Sequence, residues 1–421
     1  MESLVEYYRE NNEVRVKYTN LYYIDNVFNF LTTNKDIQLE KVRTLNTEEL
    51  LPTIMRFENR DKLLEYINTI KYSNVGGITG YISHFYDWNI AHGLYDSLYP
   101  IYLTYLKFFS NDTTEYNNDI NIFINLRFIP GWSFPGIASR EWTLDIFKQF
   151  SGGLFIKENE HNVYIKENFR FETFIAGTAL AGITAVNKNG EMPGREIYAL
   201  EKFRNRMFQK YTIPTEKVVN NERHERQRLV IRIINSRRYS SEEKTILMQI
   251  INELKNKGHD AEYIYWEKIN SFKAQLEIMS KIDIHIAGCG TSMLNFPFLN
   301  DKCVHINLGA NPIVGCDIPG LMEVNISLLS NNIYCDYYDI IKYKKILYER
   351  LIHQIYDHIN IIIKQLKFTR IVPEYIKLWQ KYCIDNDVDI LIKRMNGIIK
   401  PHLMTYRWPE CVIFNSKTKN T

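Results

Sequence analysis

The chain has 421 residues, 45% of them apolar and 24% charged, with 52 basic side chains against 49 acidic ones. That composition excludes a disordered chain and suits two to three globular domains whose cores need neither disulfides nor metals. A formal charge of +3 also lacks the basic excess that marks most nucleic-acid binders. All six cysteines lie from Cys289 onward and none forms a Cys-x-x-Cys pair, so reduced thiols in a cytosol are expected. The first residues, Met1-Glu-Ser-Leu-Val-Glu, carry no apolar signal segment, and no run reaches the ~18 to 20 apolar residues of a transmembrane helix. A soluble, cytoplasmic protein is the expectation.

In chain order, the first hundred residues read as mixed helix and strand and include a glycine cluster at Gly76-Gly77-Ile78-Thr79-Gly80. Residues 89–109 have apolar positions at helical spacing, and 120–130 is a short β-branched run stopped by Pro130, read as a buried strand. A helix is predicted over 141–150, ending at Ser151-Gly152-Gly153, followed by two or three strands over 154–185. The polar stretch 212–227 reads as a linker. Beyond it strands and helices alternate: strand 229–234, helix 240–258 with Ser240 or Ser241 as cap, strand 261–266, helix 271–282, strand 283–288, helix 291–300, strand 302–309. Single helices between strands imply parallel pairing and a doubly wound α/β sheet. Residues 338–366 read as a long helix, and the last fifty as a helix and an irregular tail. The domain boundaries expected are 1–215, 216–375 and 376–421, the last packing back on the first.

In an open parallel sheet ligands bind at the carboxyl ends of the strands, which selects two loops. The first follows strand 229–234 and holds Asn235, Ser236, Arg237 and Arg238, with Arg232 in the strand itself. Guanidinium groups offer fixed bidentate donors to phosphate, although two arginines at such a junction can equally be solvated surface residues. The second loop is Gly288-Cys289-Gly290-Thr291-Ser292, leading to Asn295. Its glycines let backbone approach a ligand, and the helix start behind them aims free N–H groups at an anion. Together the loops suggest a nucleoside diphosphate site that is neither a P-loop nor a dinucleotide fingerprint. In the first half, His92 and Asp96 stand four apart on one helical face, the arrangement of an oriented general base or of a purely structural hydrogen bond. No metal is implied by any His, Cys or carboxylate spacing.

Arg232, Arg237-Arg238-x-x-x-Glu242, Ser271-Phe272-x-x-Gln275, Asp283 and the Gly288–Asn295 loop, preceded by Asn89-x-x-His92-x-x-x-Asp96, together resemble glycosyltransferase family 61. The likeness spans about residues 89 to 310. It departs from the family pattern at Cys289, where a His is usual, at Thr291, where an Ala is usual, and at Ser241, often an Asn. The absence of a signal segment sets the chain apart from secretory members and fits a bacterial or large-virus protein, in the latter case acting in the host cytoplasm.

The resemblance implies a GT-B architecture, two Rossmann-like doubly wound domains facing a cleft, with the acceptor mainly on the first and the nucleotide sugar on the second. It implies an inverting, metal-independent transfer from a UDP-linked or similar donor to a glycan or a glycosylated protein, with no cofactor. His92 would be the base, Asp96 its orienting partner, and Arg232, Arg237, Arg238 and Gly288, Cys289, Gly290, Thr291 and Ser292 the diphosphate site. Asn89, Gln275 and Asn295 would line the substrates, and Trp266 would touch the nucleobase. Other readings compete: a catalytically inactive binder of nucleotide sugars or glycans, a sugar-nucleotide epimerase of the same fold, and a nucleic-acid protein using the arginines between 223 and 238. The helix-rich C-terminus suits a homodimer.

Overall fold

The computed structural model describes residues 1–10, 13–45, 48–84, 90–109, 118–126, 137–159, 167–177, 197–214, 228–237, 239–269, 271–288, 293–300, 303–309, 333–336 and 346–364. The chain divides into two compact units, Met1–Ala185 and Val186–Thr421, and is mixed α/β. Among the described residues no helix is long and apolar enough to cross a membrane.

The first unit is built on strands β1 (Leu4–Glu10), β2 (Glu13–Ile24), β3 (Val27–Thr32), β6 (Thr53–Arg56), β7 (Ser73–His84), β8 (Ile120–Leu126), β9 (Gly152–Asn159) and β10 (Phe169–Ala176). They form one sheet in the order β6-β3-β2-β10-β7-β8-β9, with β1 also on β2, while β4 (Val42–Leu45) and β5 (Glu48–Leu50) pair separately. This sheet is mixed where the resemblance implies a wound parallel one. β10, β7, β8 and β9 run parallel, but β2 is antiparallel to β1, β3 and β10. The cause between β2 and β3 is local. Asp25 and Asn26 both take positive φ, 51° and 66°, in a two-residue turn whose twist suits a hairpin. One face buries an aromatic core in which Phe28 and Phe123 lie 5.3 Å apart, with Tyr23, Phe171 and Phe174 around them. Helix α1 (Arg60–Thr69) buries Leu63 and Ile67 against Tyr22, Ile24 and Leu31.

The predicted helix over 89–109 forms as α2 (Ile90–His92), a π-helical stretch (Gly93–Leu98) and α3 (Tyr99–Phe109). Helix α4 (Ile137–Ser151) follows β8, as read from the sequence, although it begins earlier.

The second unit holds α5 (Ile197–Lys210) and a five-stranded, wholly parallel sheet of β11 (Val230–Ile234), β12 (Asp260–Ile264), β13 (Ile284–Gly288), β14 (Val304–Gly309) and β15 (Ile333–Asp336). The order is β12-β11-β13-β14-β15. Helices α6 (Ser241–Asn256) and α8 (Tyr348–Ile363) cover the face made by Ile231, Ile233, Ile284, Ile286, Val304 and Ile306. Phe296 stacks on His305, whose side chain leaves the opposite face, so the 3-10 helix Met293–Phe298 lies on that side, and α7 (Phe272–Met279) packs against this 3-10 helix. The sequence leads to an α-helix over 291–300; Pro297 lacks the N–H that an α-helical ladder requires there, and a short 3-10 turn forms instead. β15 has no counterpart among the predicted elements. Residues 215–227 of the predicted linker and the chain beyond 364 lie outside the described residues.

Candidate functional site

The chain leaves β11 in one direction to form β12 and then crosses back to form β13 on the other side of β11. A crevice opens where neighbouring connections diverge, outside the carboxyl ends of β11 and β13. Both loops singled out in the sequence therefore start at this one point of the sheet. Parallel strands deliver them together because every carboxyl end of such a sheet points the same way.

Asn235, Ser236 and Arg237 follow β11 directly. The Asn235 backbone N–H donates to Ile264 O at 2.7 Å, tying the loop to the end of β12. Its side chain is held from two sides. The Tyr263 hydroxyl donates to Asn235 Oδ1 at 2.9 Å, and Asn235 Nδ2 donates to Glu267 Oε1 at 3.3 Å. Burial pushes the Tyr263 hydroxyl well above the usual phenol range, so it remains protonated and a donor. Arg237 is exposed and makes no ion pair among the described residues. Arg238 lies outside them.

Gly288 closes β13, and a Cβ built on it would stand 2.8 Å from the Tyr239 hydroxyl and 3.1 Å from Tyr239 Cε1. The loop after β11 thus lies directly over the end of β13, and only a glycine admits that approach. Cys289, Gly290, Thr291 and Ser292 lie outside the described residues. Ile234, Ile264 and Ala287, near the carboxyl ends of three adjacent strands, make a small apolar cluster with half-buried Trp266 and Ile269 packed on it.

Arg232 does not belong with this group. Its Nη1 donates to Asp260 O at 2.6 Å and lies 3.1 Å from Asp260 Oδ1, and its Nε is 3.6 Å from Glu262 Oε2. Asp260 opens β12, so the guanidinium reaches back toward the amino ends of the strands, away from the crevice. Its place in the diphosphate set is corrected accordingly. Gln275 lies on α7 and Asn295 in the 3-10 helix, both buried. Asp283 anchors the start of the sheet, its Oδ2 accepting from Val230 N–H at 2.8 Å.

Beneath the crevice, on the face away from α6, His285 and His305 are fully buried with Nδ1 atoms 2.8 Å apart and rings stacked 4.9 Å centre to centre. Burial lowers both pKa values, that of His285 to about 3, and both imidazoles are neutral.

In the first unit, His92 ends α2 and Asp96 lies in the π-helical stretch; their side chains, and Asn89 altogether, lie outside the described residues. The adjacent Gly93 brings this turn against α4, since a Cβ there would meet Thr143 Cγ2 at 2.9 Å. A π-helical turn interrupting an α-helix is found often at functional sites.

Tyr239, Tyr263 and Glu267 are not among the residues that the sequence singles out. The carboxyl-end rule, applied to β12 as well as to β11 and β13, points at Glu267; the other two become visible only with the loop in place. Among the described residues no three His, Cys, Asp or Glu side chains are grouped so as to hold a metal ion. No protein-family model matches the chain, and no curated protein matches it either.

Proposed function

We propose that the chain is a glycosyltransferase of GT-B type that holds a nucleotide-sugar donor on its second unit. The observation that carries this reading is the pair of loops, Asn235–Arg237 and that entered at Gly288, at the carboxyl ends of adjacent parallel strands on either side of the point where the connections diverge. An exposed arginine after β11, next to the strand that ends at Gly288, suits a diphosphate, whose charge it neutralises as the leaving group departs. The ordered motifs that resemble glycosyltransferase family 61 support the same class of donor, and the doubly wound order β12-β11-β13-β14-β15 has its switch point between β11 and β13, where such sheets bind ligands.

In this reading Arg237 and Arg238 hold the diphosphate, and arginine charge takes the place that a metal fills in other transferases. The acceptor hydroxyl oxygen attacks the anomeric carbon as the bond from that carbon to the diphosphate oxygen breaks. The nucleoside diphosphate leaves with the bonding electrons from the opposite face, and the configuration inverts. His92 takes the hydroxyl proton, with Asp96 favouring the protonated imidazole. The acceptor is a glycan or a glycosylated protein. Cys289, standing where the family has His, favours a second reading: a protein that binds the donor without turning it over.

A thermal-shift series with UDP, GDP, CMP, dTDP and their sugars tests the site on the intact chain. One nucleotide at about a hundredfold its Kd adds about 2.7 kcal/mol, an upward shift of roughly 5 °C or more. The shift is expected to persist in EDTA and to vanish in Arg237→Ala. No shift with any nucleotide refutes the donor site, and a shift without sugar transfer selects the binding-only reading.

A further inference from the structure

The first unit brings two arginines together at one point without a carboxylate to pair them. Arg170 stands on β10 directly opposite Tyr22 of β2, and antiparallel partners share a face, so its side chain leaves the sheet beside that of Tyr22. Arg60 opens α1. Residues three and seven along a helix lie on its side, and these are Leu63 and Ile67, which pack against Tyr22. The Tyr22 hydroxyl donates to Met1 O at 2.9 Å and accepts from the Met1 nitrogen at 3.1 Å. Burial, then Arg170 and Arg60, lower the pKa of that nitrogen, so both guanidinium groups act on the same place. Glu2 acts there too, but its Oε1 already accepts from Thr32 Oγ1, Thr33 N–H and Thr33 Oγ1. Among the described residues Glu2, Glu58 and Asp61 form no ion pair with either arginine, and the buried Nε of Arg170 has no hydrogen-bond partner.

That arrangement costs stability as it stands. A buried N–H without an acceptor forfeits its bond to water, and like charges held at one place repel. Burial holds the Tyr22 phenol at a pKa of about 12, so Tyr22 stays neutral and supplies no countercharge. An oxyanion between the arginines removes both costs, because a guanidinium presents paired N–H donors at the spacing of phosphate oxygens. Two uncompensated cations match a dianion better than a single carboxylate. Arg60 is exposed and Arg170 only partly buried, so an anion reaches them from solvent.

We propose that Arg60 and Arg170 form an anion site on the first unit that takes a phosphate monoester group. It stands apart from the nucleotide-sugar reading, which concerns the loops of the second unit, and neither depends on the other. A small phosphorylated molecule and the headgroup of phosphatidic acid offer the same dianion, and the two arginines recognise that shared chemistry.

Calorimetric titration of the full chain with inorganic phosphate and with acetate tests it, alongside Arg170→Gln, Arg60→Ala and Arg237→Ala. Hydrogen bonds between charged groups predict that Arg170→Gln and Arg60→Ala each weaken phosphate about tenfold or more. Arg60→Ala is an exposed change, so it keeps the test valid if Arg170→Gln disturbs the fold. Phosphate binding is expected to survive Arg237→Ala, and acetate to bind at least about tenfold more weakly than phosphate. Absence of phosphate binding overturns the proposal. So does binding that ignores Arg60→Ala and a folded Arg170→Gln, binding that Arg237→Ala abolishes, or acetate bound as tightly as phosphate. Flotation with phosphatidylcholine vesicles, with and without phosphatidic acid, separates the two sources. Capture that needs phosphatidic acid and fails in Arg60→Ala supports the site and assigns it to a lipid headgroup; phosphate binding without capture supports it as a site for a soluble phosphate ester.

Discussion

Gly288 and the two arginines Arg232 and Arg237 show how much a single residue's setting decides. The contact of Tyr239 with the Gly288 backbone leaves no room for a methyl group. Gly288→Ala is expected to cost about 1 to 3 kcal/mol, the usual range for overpacking. Tyr239→Phe removes the closest atom but leaves ring carbons at 3.1 and 3.3 Å, so the double variant should recover only part of that loss. Urea denaturation of the four chains in the cycle measures the coupling, and strict additivity would show that the contact is not the cause. The arginines divide differently. Arg232→Ala should lower stability by about 1 to 2 kcal/mol, since it removes hydrogen bonds to Asp260 at a partly buried position, and leave nucleotide binding intact. Arg237→Ala should do the reverse. In the sequence the two look alike; one lies inside a strand whose neighbour supplies a carboxylate, the other just past its end.

Elements defined by local chemistry were legible, and those defined by distant pairing were not. Ser240 and Glu243 form a full capping box, the side chain of each bonded to the backbone N–H of the other, ahead of the apolar stripe Leu247, Ile250, Ile251 and Leu254. The spacing alone announces that helix start. Ser240→Ala is expected to cost about 1 kcal/mol, measurable as a lower urea midpoint with an unchanged slope. β15 is the opposite case. Four residues, Ile333 to Asp336, become a strand because β14 offers them an open edge, a partner some thirty residues away. The first hundred residues fail to resolve into strands for a similar reason. β2 pairs with β10 across about 150 residues, and no window of sequence contains both.

At the scale of the whole second unit, the buried pair His285 and His305 ties folding to pH. Both imidazoles are neutral in the fold, while in the unfolded chain each returns to a pKa near 6.5. Above that pH neither state binds a proton and the pair adds no pH dependence. As pH falls from 6.5 toward 3, the unfolded chain takes up protons that the fold refuses, so stability declines. The slope reaches about 1.4 kcal/mol per pH unit for each histidine, about 2.7 for the two. Urea midpoints followed from pH 7.5 to 4.5 should show a steeper acid limb than those of the His285→Leu, His305→Leu double variant, whose carboxylates are the same. Equal limbs in the two chains would mean that the pair is protonated in the fold.

The sequence by itself determined the texture of the second unit, its strand–helix alternation, its helix caps and the two loops worth attention, because caps, turns and periodicity act over a few residues. Only the tertiary structure decided that those loops start at adjacent strand ends where the connections from β11 diverge and that Tyr239 closes over Gly288. It alone turned Arg232 toward Asp260, and it alone lined up Tyr263, Asn235 and Glu267. Each of these depends on which strands become neighbours and on which way a side chain leaves its strand. Both are settled by burying one sheet face against α6 and α8 and the other beneath α7 and the 3-10 helix, a condition that the whole unit meets at once.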